Sequence, residues 1–306
     1  MKQQHSGILK DKTIALLMGG PGKERDVSLR SGAAVSKALR AAGANVVEID
    51  VTTSEIDLPE SVDIAFNIIH GTFGEDGQLQ SLLHARGIPY TGEGIDGSRT
   101  AFDKILSKEA FDCAGVQTSS WEKIRRGESP TLPLPYVVKA PRQGSSVGVH
   151  IIHDASSLPA ALEDCFQYGE EVLIESFFKG RELTVGILGG KALPVVEIVP
   201  VGGFYDYDHK YTSGASEYFV PAPLTETEST MVQSAACAAH QALGLEVYSR
   251  VDILLAPDGS MNVLEINTIP GMTELSLLPK AAAVAGLDFP ALCEEIAGLS
   301  MEKRTP

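Results

Sequence analysis

The sequence is short of cysteine, of basic charge and of long apolar runs. Its four cysteines, Cys113, Cys165, Cys237 and Cys293, are scattered through 306 residues without metal-like spacing. Their apolar or helical contexts point to reduced thiols and a cytoplasmic setting. Lysine and arginine number 25 against 40 acidic residues, a formal charge of −15. That balance argues against nucleic acid or an anionic membrane as partner, and an anionic substrate would need locally placed cations. No apolar run reaches membrane-spanning length. The opening MKQQHSGILKDK lacks the apolar core of a signal peptide and reads as a polar lead-in. The dinucleotide fingerprint is also missing: GGPGKER places Arg25 where the last glycine of G-x-G-x-x-G belongs. Asp50 alone gives a nicotinamide site little support. Internal repeats and low-complexity segments are absent.

What is present is ordinary for a soluble enzyme, 43% hydrophobic and 21% charged, with length for two or three domains. Residues 13–18 (TIALLM) form a continuous apolar run ending at Gly19-Gly20, the pattern of a buried parallel strand. The pattern predicts a helix over residues 24–42, strands over 45–51 and 62–69, and then the loop HGTFGEDG. Alternating strands and helices suggest an open α/β domain. Composition shifts between Gly92 and Gly97, after which Ser98 is a candidate cap for a helix carrying Lys104 and Lys108. Strands over 136–139 and 147–152 flank a loop holding Gly144, Ser145, Ser146 and Gly148. Such a loop frees backbone N–H groups and hydroxyls for a phosphate, and Lys139 adds a point charge; a flexible hairpin tip is the plainer alternative. Residues 170–178 read as a strand, followed by KGRE and a strand over 183–188. Glu175 and Glu182 bracket Phe177 and Phe178, which suits adenine and ribose or else a bare hinge. The stretch 202–224 reads as a long polar, aromatic loop with Lys210 and Tyr211 near its centre, a lid by length and composition. An amphipathic helix over 225–243 and a terminal helical region over 277–299 complete the chain.

The chemistry concentrates in YSRVDILLAPDGSMNVLEINTIPGMTELS. Strands over 247–256 and 261–267 flank Pro257-Asp258-Gly259-Ser260, and Asp-Gly is a strong two-residue turn signal. Such a turn places Asp252 opposite Glu265 and Arg250 opposite Asn267. Directly opposed side chains have Cβ atoms roughly 4.5–5.5 Å apart. Two carboxylates at that spacing must share a proton, bind cations or lie in solvent. Oxygen donors alone suit a hard ion such as Mg²⁺.

Taken in order, the segments GGPGKERDVSLRSG, HGTFGEDGQLQ, VKAPRQGSSVGV, EVLIESFFKGRELTV, FYDYDHKY, SRVDILL and LEINTIPGMT are similar to those of the D-alanine–D-alanine ligase family of ATP-grasp enzymes. The resemblance covers nearly the whole chain. It implies an α/β (α+β) ATP-grasp fold of three domains, with an N-terminal open, Rossmann-like α/β domain over 1–95, a central subdomain over 96–176 and a C-terminal domain over 177–306. It implies that Lys104, Lys139, Ser145, Ser146 and Lys210 serve the ATP phosphates, and that Glu175, Phe177, Phe178 and Glu182 surround adenosine. Asp252, Glu265 and Asn267 would hold two Mg²⁺ ions, or Mn²⁺. Glu24 would anchor the first D-alanine and form a hydrogen-bonded chain with Ser145 and Tyr211. Arg250 and the backbone of Gly271 would face the reacting carbonyl, and Ser276 with Leu277 would receive the second carboxylate. A homodimer is the implied assembly, and D-lactate or D-serine the alternative second substrates. Asp26 stands where the family commonly has Glu, Leu275 where it has a polar residue, and Phe177 where Trp is frequent.

Overall fold

The structure is a computed structural model and describes residues 3–200 and 216–304. Its first layer is a parallel sheet of β1 (Thr13–Gly19), β2 (Asn45–Val51) and β3 (Ile64–Asn67) in the order β2-β1-β3. Ile14, Ala15, Leu16 and Leu17 of β1 are fully buried, as a strand covered on both faces requires. Helix α1 (Arg25–Ala41) turns Ser28, Ser31, Val35 and Leu39 inward. β3 is shorter than its apolar run predicts. Asn67 diverts the chain, its side chain donating to the Gly74 carbonyl and accepting from Ile69 N–H. A short polar side chain thus competes with the ladder and starts the HGTFGEDG loop ahead of α2 (Gln78–Ala85).

Two helices follow, α3 (Ile95–Phe102) and α4 (Lys104–Ala114). Ser98 lies inside α3, and the cap of the helix carrying Lys104 is Asp103, whose carboxylate accepts from Ile105 and Leu106 N–H. A four-stranded antiparallel sheet comes next: β4 (Trp121–Arg125), β5 (Tyr136–Lys139), β6 (Val149–Ile152) and, after α5 (Leu158–Cys165), β7 (Glu171–Ser176). The order is β4-β7-β5-β6. β6 begins later than the sequence pattern suggests, because Gly148 has φ of 63°, outside the extended range; Ser145 and Ser146 before it, at 51° and 61°, are left-handed too.

The third sheet has the order β11-β10-β8-β12-β13, with β9 beside β8. Its strands are β8 (Arg181–Leu188), β9 (Lys191–Ala192), β10 (Val196–Pro200), β11 (Ser216–Phe219), β12 (Tyr248–Leu255) and β13 (Met261–Asn267). Helix α6 (Glu226–Ala242) opens with a capping box between Thr225 and Glu228. The expected 202–224 loop is therefore partly strand, from Ser216 onward; Lys210 and Tyr211 lie outside the described residues. The terminal helical region is two helices, α7 (Leu277–Val284) and α8 (Phe289–Arg304), separated at Gly286 with φ 89°. Phe111 and Val116 share a core with Val185, Val251 and Val263. Helix α4 thus packs under the third sheet and presents its lysines between the two antiparallel sheets.

The β12–β13 register corrects the expected turn while keeping the expected pairs. Arg250 opposes Asn267 and Asp252 opposes Glu265, but Ile253 opposes Val263. Toward the turn, Ala256 N–H donates to Ser260 and Gly259 N–H to Ala256, so three residues form the tip instead of two. The irregularity between Asp252 and Ile253 restores the register at the polar end.

Candidate active site

Strand alternation brings the hairpin's polar side chains to one place. Asp252 is almost buried, 7% exposed, and its carboxylate is heavily bonded. Arg250 grips it with a fork, Nε to Oδ1 at 3.0 Å and Nη2 to Oδ2 at 2.8 Å. Thr184 of β8 donates to Oδ1 at 2.6 Å and the Asn267 amide to Oδ2 at 3.3 Å. Across the pair, Glu265 meets the Lys104 ammonium at 3.2 Å. Two carboxylates are thus held together by cations and donors. The donor set of Asp252, Glu265 and Asn267 is all oxygen, and the Asn267 amide uses its N–H toward Asp252, which leaves oxygens to the cavity. That chemistry fits Mg²⁺.

Lys104 also donates to the Gln143 carbonyl at 2.8 Å, at the entrance to the glycine-serine loop. Deeper in, Glu175 is ion-paired to both Lys139 and Lys108. Lys108 and Glu175 are sealed from solvent, at 1% and 2% exposure. Burial acts to raise the Glu175 carboxyl, yet the two lysines outweigh it and hold it well below the usual carboxylate range. Burial pulls Lys108 down from the ordinary lysine value, and Glu175 opposes that pull. Phe177, Phe178 and Glu182 line the same cavity as Lys139, Ser146 and Glu175.

The N-terminal layer closes the other side. Ser145 donates to the Glu24 carboxylate across the gap between the central and first layers. Gly71 makes room: with φ of 71°, a Cβ there would lie 2.5 Å from Glu24 Oε2. His70 Nδ1 lies 2.8 Å from the Ile269 carbonyl, which can only accept, so that nitrogen carries the hydrogen. Nε2 then accepts from Ser31 at 3.2 Å, and Ser31 accepts from Met272 N–H at 3.3 Å. The pair ties α1 to the turn after β13. Burial pushes the neighbouring Glu75 carboxyl up, and Glu24 adds to it. At the far end, the Ser276 hydroxyl does not cap α7. It accepts instead from Thr273 N–H at 3.0 Å and sits beside Gly271, whose Cβ position is 3.1 Å from it. The start of α7 therefore has no side-chain cap, and Ser276 and Leu277 border the larger cavity, an arrangement that favours a carboxylate there.

Two adjoining cavities result. The larger, about 950 Å³, is bordered by Glu24, Ser145, Arg250, Asn267, Gly271 and Ser276. The smaller contains Lys139, Glu175 and the two phenylalanines, and both share Lys104, Gln143 and Glu265. Every candidate residue within the described part of the chain thus borders one or the other of these adjoining cavities; Lys210 and Tyr211 are outside that part. Sequence reasoning did not single out Thr184, Ser31, Glu75 or the partnership of Lys108 with Glu175. The one sequence signal for the last was a lysine four residues beyond Lys104, on the same helical face.

A family model described as "D-ala D-ala ligase C-terminus" matches residues 109–297, and one described as "D-ala D-ala ligase N-terminus" matches residues 51–93. A D-alanine--D-alanine ligase of Methylacidiphilum infernorum is 51% identical over 287 residues, covering 94% of this chain and 95% of that protein. One from Citrifermentans bemidjiense is 51% identical over 288 residues, with 92% and 93% covered. Among solved structures, the Bacillus anthracis D-alanine--D-alanine ligase complexed with ATP superposes with a TM-score of 0.85 at 33% identity, covering 96% of this chain and 98% of that one. The VanG D-Ala:D-Ser ligase of Enterococcus faecalis gives 0.85 at 28% identity, with 95% and 100% covered.

Proposed function

The chain belongs to the D-alanine–D-alanine ligase family, and on that premise we propose that its cleft joins two D-alanines at the expense of ATP for peptidoglycan precursor synthesis. The observation that carries the assignment of roles is that the two cavities meet at Lys104, Gln143 and Glu265. Lysines and the glycine-serine loop lie at one end, an oxygen-donor trio in the middle, and Glu24 with the α7 N-terminus at the other.

The fold is ATP-grasp, and ATP is the energy source. The carboxylate of the first D-alanine attacks the γ-phosphorus, ADP leaves, and an acyl phosphate forms. The amine of the second attacks its carbonyl, phosphate leaves, and the peptide remains. In this reading Glu24, braced by Ser145, pairs with the first ammonium group. Lys104 and Lys139, with Ser146, hold phosphate oxygens beside Phe177, Phe178 and Glu182 around the nucleoside. Arg250, fixed by its fork to Asp252, keeps a permanent positive charge beside the reacting carbonyl, and the Gly271 backbone adds a donor. Ser276 and the first N–H groups of α7 receive the second carboxylate. Mg²⁺ held by Asp252, Glu265 and Asn267 would supply charge neutralisation for phosphate. Lys210 is assigned to the ATP phosphates and Tyr211 to the closure that keeps water from the acyl phosphate.

Among the described residues no helix is long and apolar enough to cross a membrane. A cytoplasmic homodimer is the proposed setting. A coupled ADP-release assay over D-alanine, D-serine and D-lactate, with NAD(H) absorbance as control, tests the whole reading. Turnover that depends on D-alanine alone supports it, and ADP release driven chiefly by another acceptor replaces it.

A further inference from the structure

We infer that Lys108 is a positioning residue of the nucleotide site, which shares the charge of Glu175 with Lys139 and so leaves the cluster one surplus positive charge to attract an ATP phosphate. The inference rests on the ATP-binding reading above and extends it to a residue that cannot touch the ligand. Lys108 is 1% exposed and does not border either cavity, whereas Lys139 does.

The geometry assigns one lysine to each carboxylate oxygen, Lys108 to Oε1 of Glu175 and Lys139 to Oε2. Two ammonium groups and one carboxylate leave a single net positive charge on the cluster. Lys108 is the sealed member. Its ammonium also donates to the Thr118 hydroxyl and, at 3.3 Å, to the Val263 carbonyl. Thr118 donates in turn to Val263 at 3.0 Å, and Asn262 accepts from Ser119 N–H at 2.7 Å. Lys108 therefore stands at the junction of the central sheet, through Glu175 on β7, with the third sheet, through Val263 on β13. Remove it, and Lys139 and Glu175 become a neutral pair. The surplus charge at the cavity wall disappears although no residue that lines the cavity has changed. A buried lysine is costly to desolvate; a structural prop in this place could be apolar.

The test compares ATP with adenosine, which lacks phosphates, by calorimetry and by displacement. Wild type, Lys108→Met and the double variant Lys108→Met/Glu175→Gln are measured, with melting curves for each. The readout is the ratio of ATP affinity to adenosine affinity, which cancels any contact that Glu175 makes to the nucleoside. Lys108→Met should lower the ratio roughly tenfold to thirtyfold, the effect of one unit charge several ångströms away at an intermediate dielectric. The double variant restores the net charge and should return the ratio to within about twofold of wild type. Should the single variant not fold, the double variant carries the test, since it removes the carboxylate whose Oε1 would lose its partner. An unchanged ratio in Lys108→Met, or a ratio still depressed in the double variant, overturns the inference while leaving ATP binding intact. A wild type that binds no ATP overturns the nucleotide reading and this inference with it.

Discussion

Glu93 joins the first layer to the hairpin that carries the oxygen trio, and its replacement by glutamine is a nearly isosteric probe of that joint. It is 2% exposed. One oxygen accepts from Val247 and Tyr248 N–H, each at 2.9 Å, and the other from Glu246 N–H at 2.6 Å. Three consecutive backbone donors at the start of β12 thus converge on one carboxylate. Glutamine keeps the volume but replaces an oxygen with an NH₂ group. In its better orientation the carbonyl still serves Val247 and Tyr248, and the NH₂ confronts the Glu246 N–H. One charge-assisted hydrogen bond is lost and the remaining two become neutral. With three charged bonds at about 1.5–3 kcal/mol each giving way to two neutral ones at about 1, the net cost is about 2.5–7 kcal/mol. At about 2 °C per kcal/mol, the lower figure for larger domains, the melting temperature should fall by at least about 5 °C. Glu93 borders neither cavity, so turnover measured well below the melting transition should stay near that of wild type. Paired melting curves and initial rates check both statements. A shift under about 1 °C would refute the claim that this carboxylate secures the joint, and full loss of turnover in a folded variant would refute its separation from the chemistry.

Arg250→Lys can satisfy only one oxygen of Asp252, and it should bind ATP nearly normally while losing turnover by about 10²–10³-fold, as for one oxyanion donor; a variant that melts early but works normally would reduce Arg250 to a hairpin brace. Glu265→Gln should lower turnover by orders of magnitude with the fold intact, and near-normal rates at low Mg²⁺ would remove Glu265 from the metal set. His240 is buried against Ser249 and held down to about 4 from 6.5. A base lowered in the folded state gives stability that is complete above the unfolded value and is lost as pH falls toward the folded one. Acidification from neutrality to about pH 5 should cost wild type about 2 kcal/mol from this residue, and His240→Gln should flatten that part of the melting-versus-pH curve. Gly71→Ala should fold less stably by about 1–2 kcal/mol, since φ of 71° disfavours a Cβ. It should also weaken binding of the first D-alanine, because its methyl displaces Glu24; unaltered D-alanine affinity would detach Glu24 from that role.

The amino-acid sequence by itself determined much of the layering and the facing pairs at the centre of the cleft, because both are written in short-range patterns; the rest of the cleft was expected only from the family resemblance. The apolar run of β1 and the period of α1 follow from neighbours within a few residues. So does the pairing of Asp252 with Glu265, through side-chain alternation. The turn shows the limit of that logic: a three-residue tip and a compensating irregularity beside Asp252 reach the same pairs by another route. An irregularity depends on what both faces of the hairpin pack against, and no local pattern reports it. Ser98 as cap failed for a similar reason, since a helix start is chosen by where the chain must turn, and here Asp103 occupies that corner. Only the tertiary structure placed Lys108 under Glu175, Thr184 on Asp252, and His70 between Ser31 and Ile269. Each of these joins segments distant in sequence, and the burial that makes the contact strong exists only once the sheets have closed over it.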